Sequence, residues 1–156
     1  MQIQIRLARP DDWPTIVDFN IRLAIESEGK ELDRQHVEPG VKAVLADVRK
    51  GRYLVAEVDG CIAGQLMHTY EWSDWRNGDI WWLQSVYVIP DFRRRGIFRA
   101  LFDRLQSEAE ADPGVVGLRL YVEDNNQHAH ETYRNLGLTP GGYFVLQRMH
   151  RRSVEG

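Results

Sequence analysis

The most informative segment of the chain is Val88-Ile89-Pro90-Asp91-Phe92-Arg93-Arg94-Arg95-Gly96-Ile97-Phe98, where an apolar strand ends at a proline and an amphipathic helix begins after three arginines and a glycine. The first N–H groups of a helix have no acceptor within it, and the helix dipole places partial positive charge at the same end. The arginines add fixed positive charge beside those groups. This order of residues therefore predicts a phosphate or pyrophosphate site, typical of a protein that binds a nucleotide or coenzyme.

Length and composition predict one globular domain over residues 1–156. The chain is 43% hydrophobic and 28% charged, which is ordinary for such a domain. No apolar run approaches the roughly 20 residues that span a bilayer, and the N-terminus lacks the apolar core of a signal peptide. The single cysteine, Cys61, excludes an internal disulfide and suits a reducing compartment. We therefore expect a cytoplasmic protein with no membrane partner.

The charge balance bears on nucleic acid as a partner. The net charge is −3, whereas a dedicated nucleic-acid binder usually carries a strongly basic surface. No second basic stripe accompanies Arg93, Arg94 and Arg95 in the sequence. We therefore expect no nucleic-acid partner.

Hydrophobic periodicity predicts an α/β fold with a mixed central sheet flanked by helices, in the order β-α-α-β-β-β-α-β-α-β. The expected strands are residues 2–8, 52–58, 61–72, 80–88, 115–122 and 143–149. The expected helices start at Pro10 and end near Gly29, follow Asp33, run from Gly96 to before Pro113, and run from Asn125 or Asn126 to Gly137.

Two dipeptides predict tight hairpin turns, Asp59-Gly60 and Asn77-Gly78. Counting back from the second turn places Glu71 opposite Gln84 and Thr69 opposite Val86. A bulge would shift this register by one residue.

The chain resembles the GNAT family, the GCN5-related N-acetyltransferases, along essentially its whole length. The family's coenzyme loop reads Gln/Arg-x-x-Gly-x-Gly/Ala after a strand that ends in Val-x-Pro, and Val88-Ile89-Pro90 with the following residues matches it up to the last position. There Phe98 stands where Gly or Ala is usual. Phe98 falls on the apolar stripe of the following helix, so we expect its ring to pack in the core. The resemblance implies the acyl-CoA N-acyltransferase fold, with the pyrophosphate of acetyl-CoA held by Arg93, Arg94, Arg95, Gly96, Ile97 and Phe98.

A second match is the family motif Asn-x-x-Ala-x-x-x-Tyr-x-x-x-Gly-Phe, which Asn126, Ala129, Tyr133 and Gly137 follow, with Leu138 in place of Phe. The resemblance implies that Tyr133 lies near the coenzyme sulfur and protonates the leaving thiolate. A phenol with a pKa near 10 can supply that proton. It also places Asn126 and Ala129 among the coenzyme-binding residues.

The resemblance further implies that Val86, Tyr87 and Val88 lie on a strand that splays from its neighbour and pairs with the pantetheine arm of the coenzyme. Unpaired backbone groups on such a strand suit a diamide ligand. An ordinary buried strand has the same residue types, so both interpretations stay open.

A base that deprotonates the acceptor amine is harder to identify. Glu71 is the leading candidate, because the hairpin count sets it near the splayed strand, although a solvated or salt-bridged strand acid explains it equally well. Weaker candidates are Asp74, Glu123 and His68. Some members of the family use water and backbone carbonyls instead.

Two further groups of side chains have alternative interpretations. An aromatic cluster around Asn77-Gly78 indicates sheet core, a homodimer surface or an acceptor pocket that covers a cationic amine. Its members are Tyr70, Trp72, Trp75, Trp81, Trp82 and Tyr87. No metal is expected, because His128 and His130 do not share a helix face and no Cys or acidic set completes a ligand group.

Two functions follow from these observations. The first is an acetyl-CoA-dependent N-acetyltransferase that acts on a small-molecule or peptide amine. Direct attack in a ternary complex is expected, because Cys61 lies beside a turn and is poorly placed to form an acyl-enzyme. The second is a non-catalytic acetyl-CoA-binding sensor or interaction module, which Phe98 and the absence of a clear base leave open. No motif identifies the acceptor amine.

Overall fold

A computed structural model describes residues 1–150, which divide into one compact unit, Met1–Tyr121, and a second that begins at Val122. The elements, in chain order, are β1 (Ile3–Leu7), α1 (Trp13–Glu28), α2 (Arg34–Ala46), β2 (Arg52–Val58), β3 (Cys61–Ser73), β4 (Gly78–Val88), α3 (Ile97–Ala111), β5 (Val115–Leu120) and α4 (Gln127–Asn135). The predicted α/β class with a mixed sheet flanked by helices is confirmed. A single domain over residues 1–156 stays a prediction.

The five strands of the described residues form one sheet in the order β1-β2-β3-β4-β5. The strands β1 to β4 pair antiparallel, whereas β5 lies parallel to β4. A parallel pair needs a long crossover connection, which α3 supplies between β4 and β5. The loop between β4 and α3, where the anion site is predicted, therefore lies at the end of the sheet where β4 finishes.

Helices cover both faces of this sheet. Each strand contributes side chains to both faces, because its alternate residues point to opposite sides. On one side Tyr53 and Met67 join a buried cluster with Ile16 of α1 and Val41 of α2. On the other side Gly64 of β3 approaches Ile97 of α3, and a Cβ built on Gly64 would lie 3.0 Å from Ile97 Cγ2. The first turn of α3 therefore rests directly on the backbone of β3.

Most predicted element ends are confirmed, and local chemistry explains them. Gly29 ends α1 in the left-handed conformation, with φ of 64°. The Asp33 side chain caps α2 by accepting a hydrogen bond from the Gln35 N–H. Asp59 and Gly60 both have positive φ, as a tight hairpin turn requires. Pro39 lies inside α2 without ending it.

The predicted hairpin turn at Asn77-Gly78 is wrong. Ser73 pairs with Gly78, so residues 74–77 form the turn and Gly78 is the first residue of β4. Gly78 is needed for a close approach instead, since a Cβ there would lie 2.4 Å from Val116 Cγ1 of β5. This displacement of the turn changes the register of the whole hairpin.

The predicted last strand, residues 143–149, is also wrong, since residues 138–150 contain neither helix nor strand. A strand needs a neighbour that satisfies its backbone groups. The alternation of side chains indicates a strand in this segment, but the sheet of the described residues does not include it.

A buried histidine predicts how stability depends on pH. His68 is fully buried and stacks on Trp81, with the two ring centroids 4.1 Å apart. Burial, with a contribution from Arg52, lowers the pKa of His68 from 6.5 to about 4. Between these two values the unfolded chain binds a proton that the folded chain does not, so stability falls as the pH falls through this window.

We expect the wild-type protein to lose about 2 kcal/mol more unfolding free energy between pH 7 and pH 4.5 than His68→Phe, which has no proton to bind. Urea unfolding of both proteins at the two pH values measures this difference. Equal losses in the two proteins would show that His68 does not titrate in this way.

Candidate functional site

The loop between β4 and α3 exposes a row of backbone N–H groups. Arg94 is left-handed with φ of 63°, and Gly96, the N-cap of α3, has φ of 82°. Among the backbone hydrogen bonds outside the helices and strands of residues 1–150, none is donated by Arg94, Arg95, Gly96 or Ile97. No side chain caps the helix start. These donors therefore remain available to an anion at the positive end of α3.

The packing beneath the loop holds it against the sheet. Ile97 is 1% exposed, so the first residue of α3 is an apolar anchor. A Cβ on Gly64 would lie 3.1 Å from the Tyr87 carbonyl oxygen as well as meeting Ile97, so a larger residue at 64 would displace the loop. Gly64 is a contributor to the site that the sequence analysis missed, because only the folded chain brings it under α3.

The three arginines of the loop are in different situations. Arg93 is engaged within the protein: its Nε donates to the Val88 carbonyl at 2.8 Å, its Nη2 lies 3.2 Å from a Glu26 oxygen, and its guanidinium covers the Tyr87 ring. Arg95 lies over the Phe92 ring at 5.2 Å. Arg94 is exposed. Its side chain makes no hydrogen bond, ion pair or ring contact with the part of the chain that the structure describes. Arg93 therefore shapes the loop, whereas Arg94 offers charge to a ligand.

Phe98 is half-buried, and its ring centroid lies 6.1 Å from that of buried Phe102, one turn further along α3. The ring therefore lies on the apolar side of the helix, but it is only partly buried and does not reach the fully buried core position that the sequence predicts. Whether its N–H contacts a pyrophosphate stays a prediction.

The strand β4 separates from β5 before it ends. The last β4–β5 pair is Leu83 with Leu120, whereas β4 continues to Val88. Within the sheet of the described residues, residues 84–88 therefore have a strand neighbour on the β3 side alone. The backbone groups on the other edge can pair with an extended diamide, as an added strand would. The splayed interpretation of Val86, Tyr87 and Val88 as residues that pair with the coenzyme stays a prediction.

A bulge interrupts β4 at the same place. Gln84 pairs with Met67 and Tyr87 with Gln65, so Ser85 and Val86 together face the single residue Leu66. Ser85 has φ of 51°, a left-handed conformation that is uncommon outside glycine. The bulge turns Tyr87 toward α1, where its ring lies 5.2 Å from that of Phe19.

A buried polar network holds the bulge. Gln65 is fully buried, and its Nε2 donates to the Ser85 carbonyl at 2.9 Å and to Asn20 Oδ1 at 2.8 Å. Asn20 in turn donates to the Tyr53 hydroxyl at 3.0 Å. Burial raises the pKa of Tyr53, so that hydroxyl keeps its proton near neutral pH. The network ties α1 to the strand segment that would face the coenzyme.

Tyr87 also links the bulge to the arginine loop. A hydrogen bond with the Tyr87 hydroxyl and the nearby Arg93 lower the pKa of Glu26 on α1. Burial and this carboxylate raise the pKa of Tyr87. Glu26 is therefore ionised at neutral pH and fixes Arg93 against the end of β4.

The register expected for Glu71 is wrong, because Glu71 pairs with Ile80, and Gln84 pairs with Met67. The displaced turn is the physical reason. The two Glu71 oxygens accept hydrogen bonds from Trp82 Nε1 at 3.0 Å and from Arg119 at 2.7 Å. An incoming amine would have to compete with both donors. The structure therefore places Glu71 away from the bulge, and its role as a base stays a prediction.

The aromatic cluster divides between core and surface. Trp81 and Tyr87 are buried, and Trp82 is half-buried with its ring 4.5 Å from that of Tyr121. At the tip of the hairpin, Trp72 and Trp75 are 61% and 88% exposed. The cluster is therefore not one pocket.

The second unit contains the Asn126–Tyr133 motif on α4. Asn126 is the N-cap, and its Oδ1 accepts a hydrogen bond from the Ala129 N–H at 3.0 Å, so the two residues together stabilise the helix start. Gly137 is left-handed with φ of 89°, and the Leu138 N–H returns to the Tyr133 carbonyl at the other end. Burial raises the pKa of Tyr133 above its usual range. The predicted helix and its cap are confirmed.

The described residues also bear on two other classes of site. Residues 1–150 contain no group of three or more His, Cys, Asp or Glu side chains that could hold a metal ion. Among the same residues, no helix is both long enough and apolar enough to cross a bilayer.

Comparison with known proteins gives a consistent result. The model of the acetyltransferase (GNAT) family matches residues 16–138. The chain is 32% identical over 77 residues to the thialysine N-epsilon-acetyltransferase of Bos taurus, covering 49% of this chain and 44% of that protein. It is 38% identical over 84 residues to an acetyltransferase of Pectobacterium atrosepticum, covering 54% and 55%. The chain thus spans about half the length of the curated relatives it matches.

Solved structures share the fold over nearly the whole chain. A crystal structure described as a possible acetyltransferase from Clostridium difficile 630 has a TM-score of 0.91 and 47% identity, covering 97% of this chain and all of that one. A predicted acetyltransferase with acetyl-CoA from Clostridium acetobutylicum has a TM-score of 0.78 and 19% identity, covering 94% and 96%.

Proposed function

The chain belongs to the acetyltransferase (GNAT) family, and from this premise we propose that it transfers the acetyl group of acetyl-CoA to a primary amine by direct attack in a ternary complex. The observation that carries the proposal is the combination of the unpartnered N–H groups at the start of α3 with the separated edge of β4. One feature fits a pyrophosphate and the other fits a pantetheine arm.

The residues of this chain have separate roles in the proposal. The N–H groups of residues 94–97 and the charge of Arg94 bind the pyrophosphate, and Arg93 shapes the loop. The edge of β4 at Val86, Tyr87 and Val88 orients the acetyl-bearing arm. The solved structure described with acetyl-CoA supports this choice of co-substrate through its shared fold.

The thioester supplies an activated acetyl group, whose bond to sulfur breaks as the amine nitrogen forms its bond to the carbonyl carbon. In the proposal the Tyr133 hydroxyl donates a proton to the departing sulfur. This assignment rests on the Asn126-x-x-Ala129-x-x-x-Tyr133 motif. Burial raises the pKa of Tyr133, so its hydroxyl is protonated at neutral pH, as a proton donor must be, although it is a weaker acid than a free phenol.

The proton lost by the amine needs an acceptor. Glu71 stays a proposal for this role. Its carboxylate already accepts hydrogen bonds from Trp82 and Arg119, so a water or a backbone carbonyl beside the bulge is the better-supported acceptor of the proton. Cys61 is exposed at the β2–β3 turn and takes no part in the proposed chemistry. The acceptor is proposed to be a small-molecule or peptide amine, and the reaction is placed in the cytoplasm.

The proposed function predicts that the protein releases free thiol from acetyl-CoA only when a suitable amine is present. A thiol-reactive dye, with a panel of polyamines, amino acids, aminoglycosides and peptide N-termini, measures this release, and mass spectrometry identifies the acetylated product. Acetyl-CoA binding without thiol release across the panel would favour the non-catalytic alternative. Absence of acetyl-CoA binding in calorimetry would contradict both functions.

A further inference from the structure

The left-handed residue of the β4 bulge is held by side chains of two other strands. Ser85 has φ of 51°, a conformation that is unfavourable for a residue with a Cβ and persists only where the surroundings enforce it. Its carbonyl accepts a hydrogen bond from Gln65 Nε2 of β3 at 2.9 Å. Burial raises the pKa of Tyr53 of β2, and hydrogen bonds with Asn20 and with the Ser85 side chain oppose that shift. Ser85 is therefore held both at its carbonyl and at its side chain.

Gln65 provides two directed hydrogen-bond donors in a fully buried position. One N–H group of its amide donates to the Ser85 carbonyl, and the other donates to Asn20 Oδ1 of α1 at 2.8 Å. The Gln65 Oε1 atom is buried and has no hydrogen-bond partner among residues 1–150. A buried amide with an unpaired acceptor lowers stability, so packing alone does not explain a glutamine here. What the glutamine supplies is the pair of donors.

Fixing Ser85 also fixes the strand edge that follows it. The Ser85 carbonyl and the Val86 N–H belong to one planar peptide group, so the hydrogen bond from Gln65 sets the direction of that N–H as well. Residues 86–88 are the segment that the proposed function assigns to the pantetheine arm. A displacement of about 1 Å can lower the rate of a reaction by about 10²-fold. The conformation of one buried peptide group would therefore set where the acetyl group lies.

We propose that Gln65 is a positioning residue for acetyl transfer, because it holds Ser85 in the left-handed conformation in which residues 86–88 orient the acetyl-bearing arm. Asn20 supports Gln65 by accepting its second hydrogen bond and donating to the Tyr53 hydroxyl at 3.0 Å. The role in acetyl transfer rests on the proposed function, whereas the hold on the bulge does not. Glycine adopts a left-handed conformation without support, so a glycine at position 85 is expected to make Gln65 dispensable.

The first test is a double-mutant cycle on kcat. Gln65→Met keeps the length of the side chain and removes both donors, and it is expected to lower kcat about 10-fold to 100-fold. The KM for acetyl-CoA is expected to change less than about 3-fold, because the pyrophosphate contacts proposed at α3 are untouched. Adding Ser85→Gly to Gln65→Met is expected to bring kcat to within about 3-fold of that of Ser85→Gly alone. A glutamine that served only packing would not be rescued by a glycine at position 85.

Leu66 provides the matched control, because it is the neighbour of Gln65 on β3 and is equally buried. Leu66→Met changes the packing of the core beside the bulge and removes none of the hydrogen bonds that Gln65 makes. This variant is expected to keep the wild-type kcat. Urea unfolding of every variant shows how much stability each one loses, so a change in kcat can be separated from a change in folding.

Crystal structures of the variants test the hold on the bulge without an activity measurement. Ser85 is expected to leave the left-handed region in Gln65→Met, whereas the glycine in Gln65→Met/Ser85→Gly is expected to keep a positive φ. If Gln65→Met does not fold, Gln65→Glu makes the same comparison, since a carboxyl group donates at most one hydrogen bond.

Three results would overturn the proposal. The first is a Gln65→Met protein in which Ser85 keeps its left-handed conformation. The second is a Gln65→Met protein with the wild-type kcat, and the third is a lowered kcat that Ser85→Gly does not restore. A wild-type protein that releases no thiol with any amine of the panel would instead contradict the proposed function, and the crystal structures would still decide whether Gln65 holds the bulge.

Discussion

Replacing Gly96 with glutamate is expected to weaken acetyl-CoA binding at least 100-fold while the protein stays folded. Gly96 is the N-cap of α3 with φ of 82°, and within residues 1–150 a Cβ built there would have no atom within 4 Å apart from those of its chain neighbours and of the adjoining helix backbone. The protein itself therefore has room for the side chain. The loss is expected because the carboxylate would lie among the N–H groups that the pyrophosphate needs, and like charges repel.

The backbone effect of this change can be separated from its effect on the ligand. A residue with a Cβ at positive φ costs about 1–2 kcal/mol wherever it is placed. Gly60 in the β2–β3 turn has φ of 85° and equally open surroundings, so Gly60→Glu is a matched control. We expect similar losses of unfolding free energy in both variants.

Isothermal titration calorimetry with acetyl-CoA, beside urea unfolding of each variant, makes the comparison. Gly96→Ala is expected to bind with an intermediate affinity, since it adds strain and volume without charge. If Gly96→Glu and Gly60→Glu bound acetyl-CoA equally well, the pyrophosphate would lie elsewhere and the assignment of the loop would fail.

Tyr133→Phe is expected to lower kcat by about 10²–10⁴-fold, the usual effect of removing a general acid. The KM for acetyl-CoA is expected to change little, because the phenyl ring keeps the packing of the helix. Burial raises the pKa of Tyr133, so the wild-type hydroxyl is expected to remain protonated and active through neutral and mildly alkaline pH.

Steady-state kinetics of thiol release, with the best amine from the panel, measures both parameters. Tyr70→Phe is the matched control: it removes a hydroxyl that donates to the Val48 carbonyl at 2.7 Å, far along the hairpin from the bulge. That variant is expected to lose about 1 kcal/mol of stability and to keep its kcat. Unchanged turnover in Tyr133→Phe would remove this tyrosine from the mechanism.

Several features of the candidate site could be predicted because neighbouring residues determine them. A glycine with positive φ at the start of α3, the Asn126 cap and the left-handed Gly137 depend on groups a few residues apart. The strand boundaries at β2 and β3 follow from alternation and from the Asp59-Gly60 turn in the same way. The family motifs combine such local features, and the family assignment is confirmed.

Other features could not be predicted, because they depend on residues far apart in the chain. The sequence predicts that Gly78 is a turn residue. In the structure, glycine is needed there because the side chain of Val116 lies too close for a Cβ. The displaced turn moved Glu71 opposite Ile80 and away from Gln84. The proposed role of Glu71 as a base depended on that count, so the displaced turn removes the positional argument for it, and the role itself stays a prediction.

Short-range patterns in the sequence were enough to predict the order of the elements from β1 to α4, the glycine at the start of α3 and the family of this protein. The β3–β4 register, the bulge at Ser85 that Gln65 holds and the end of β4–β5 pairing at Leu83 became known only from the folded chain. The reason is that strand pairing satisfies backbone groups between distant segments, and the side-chain pattern of one strand does not specify its partner.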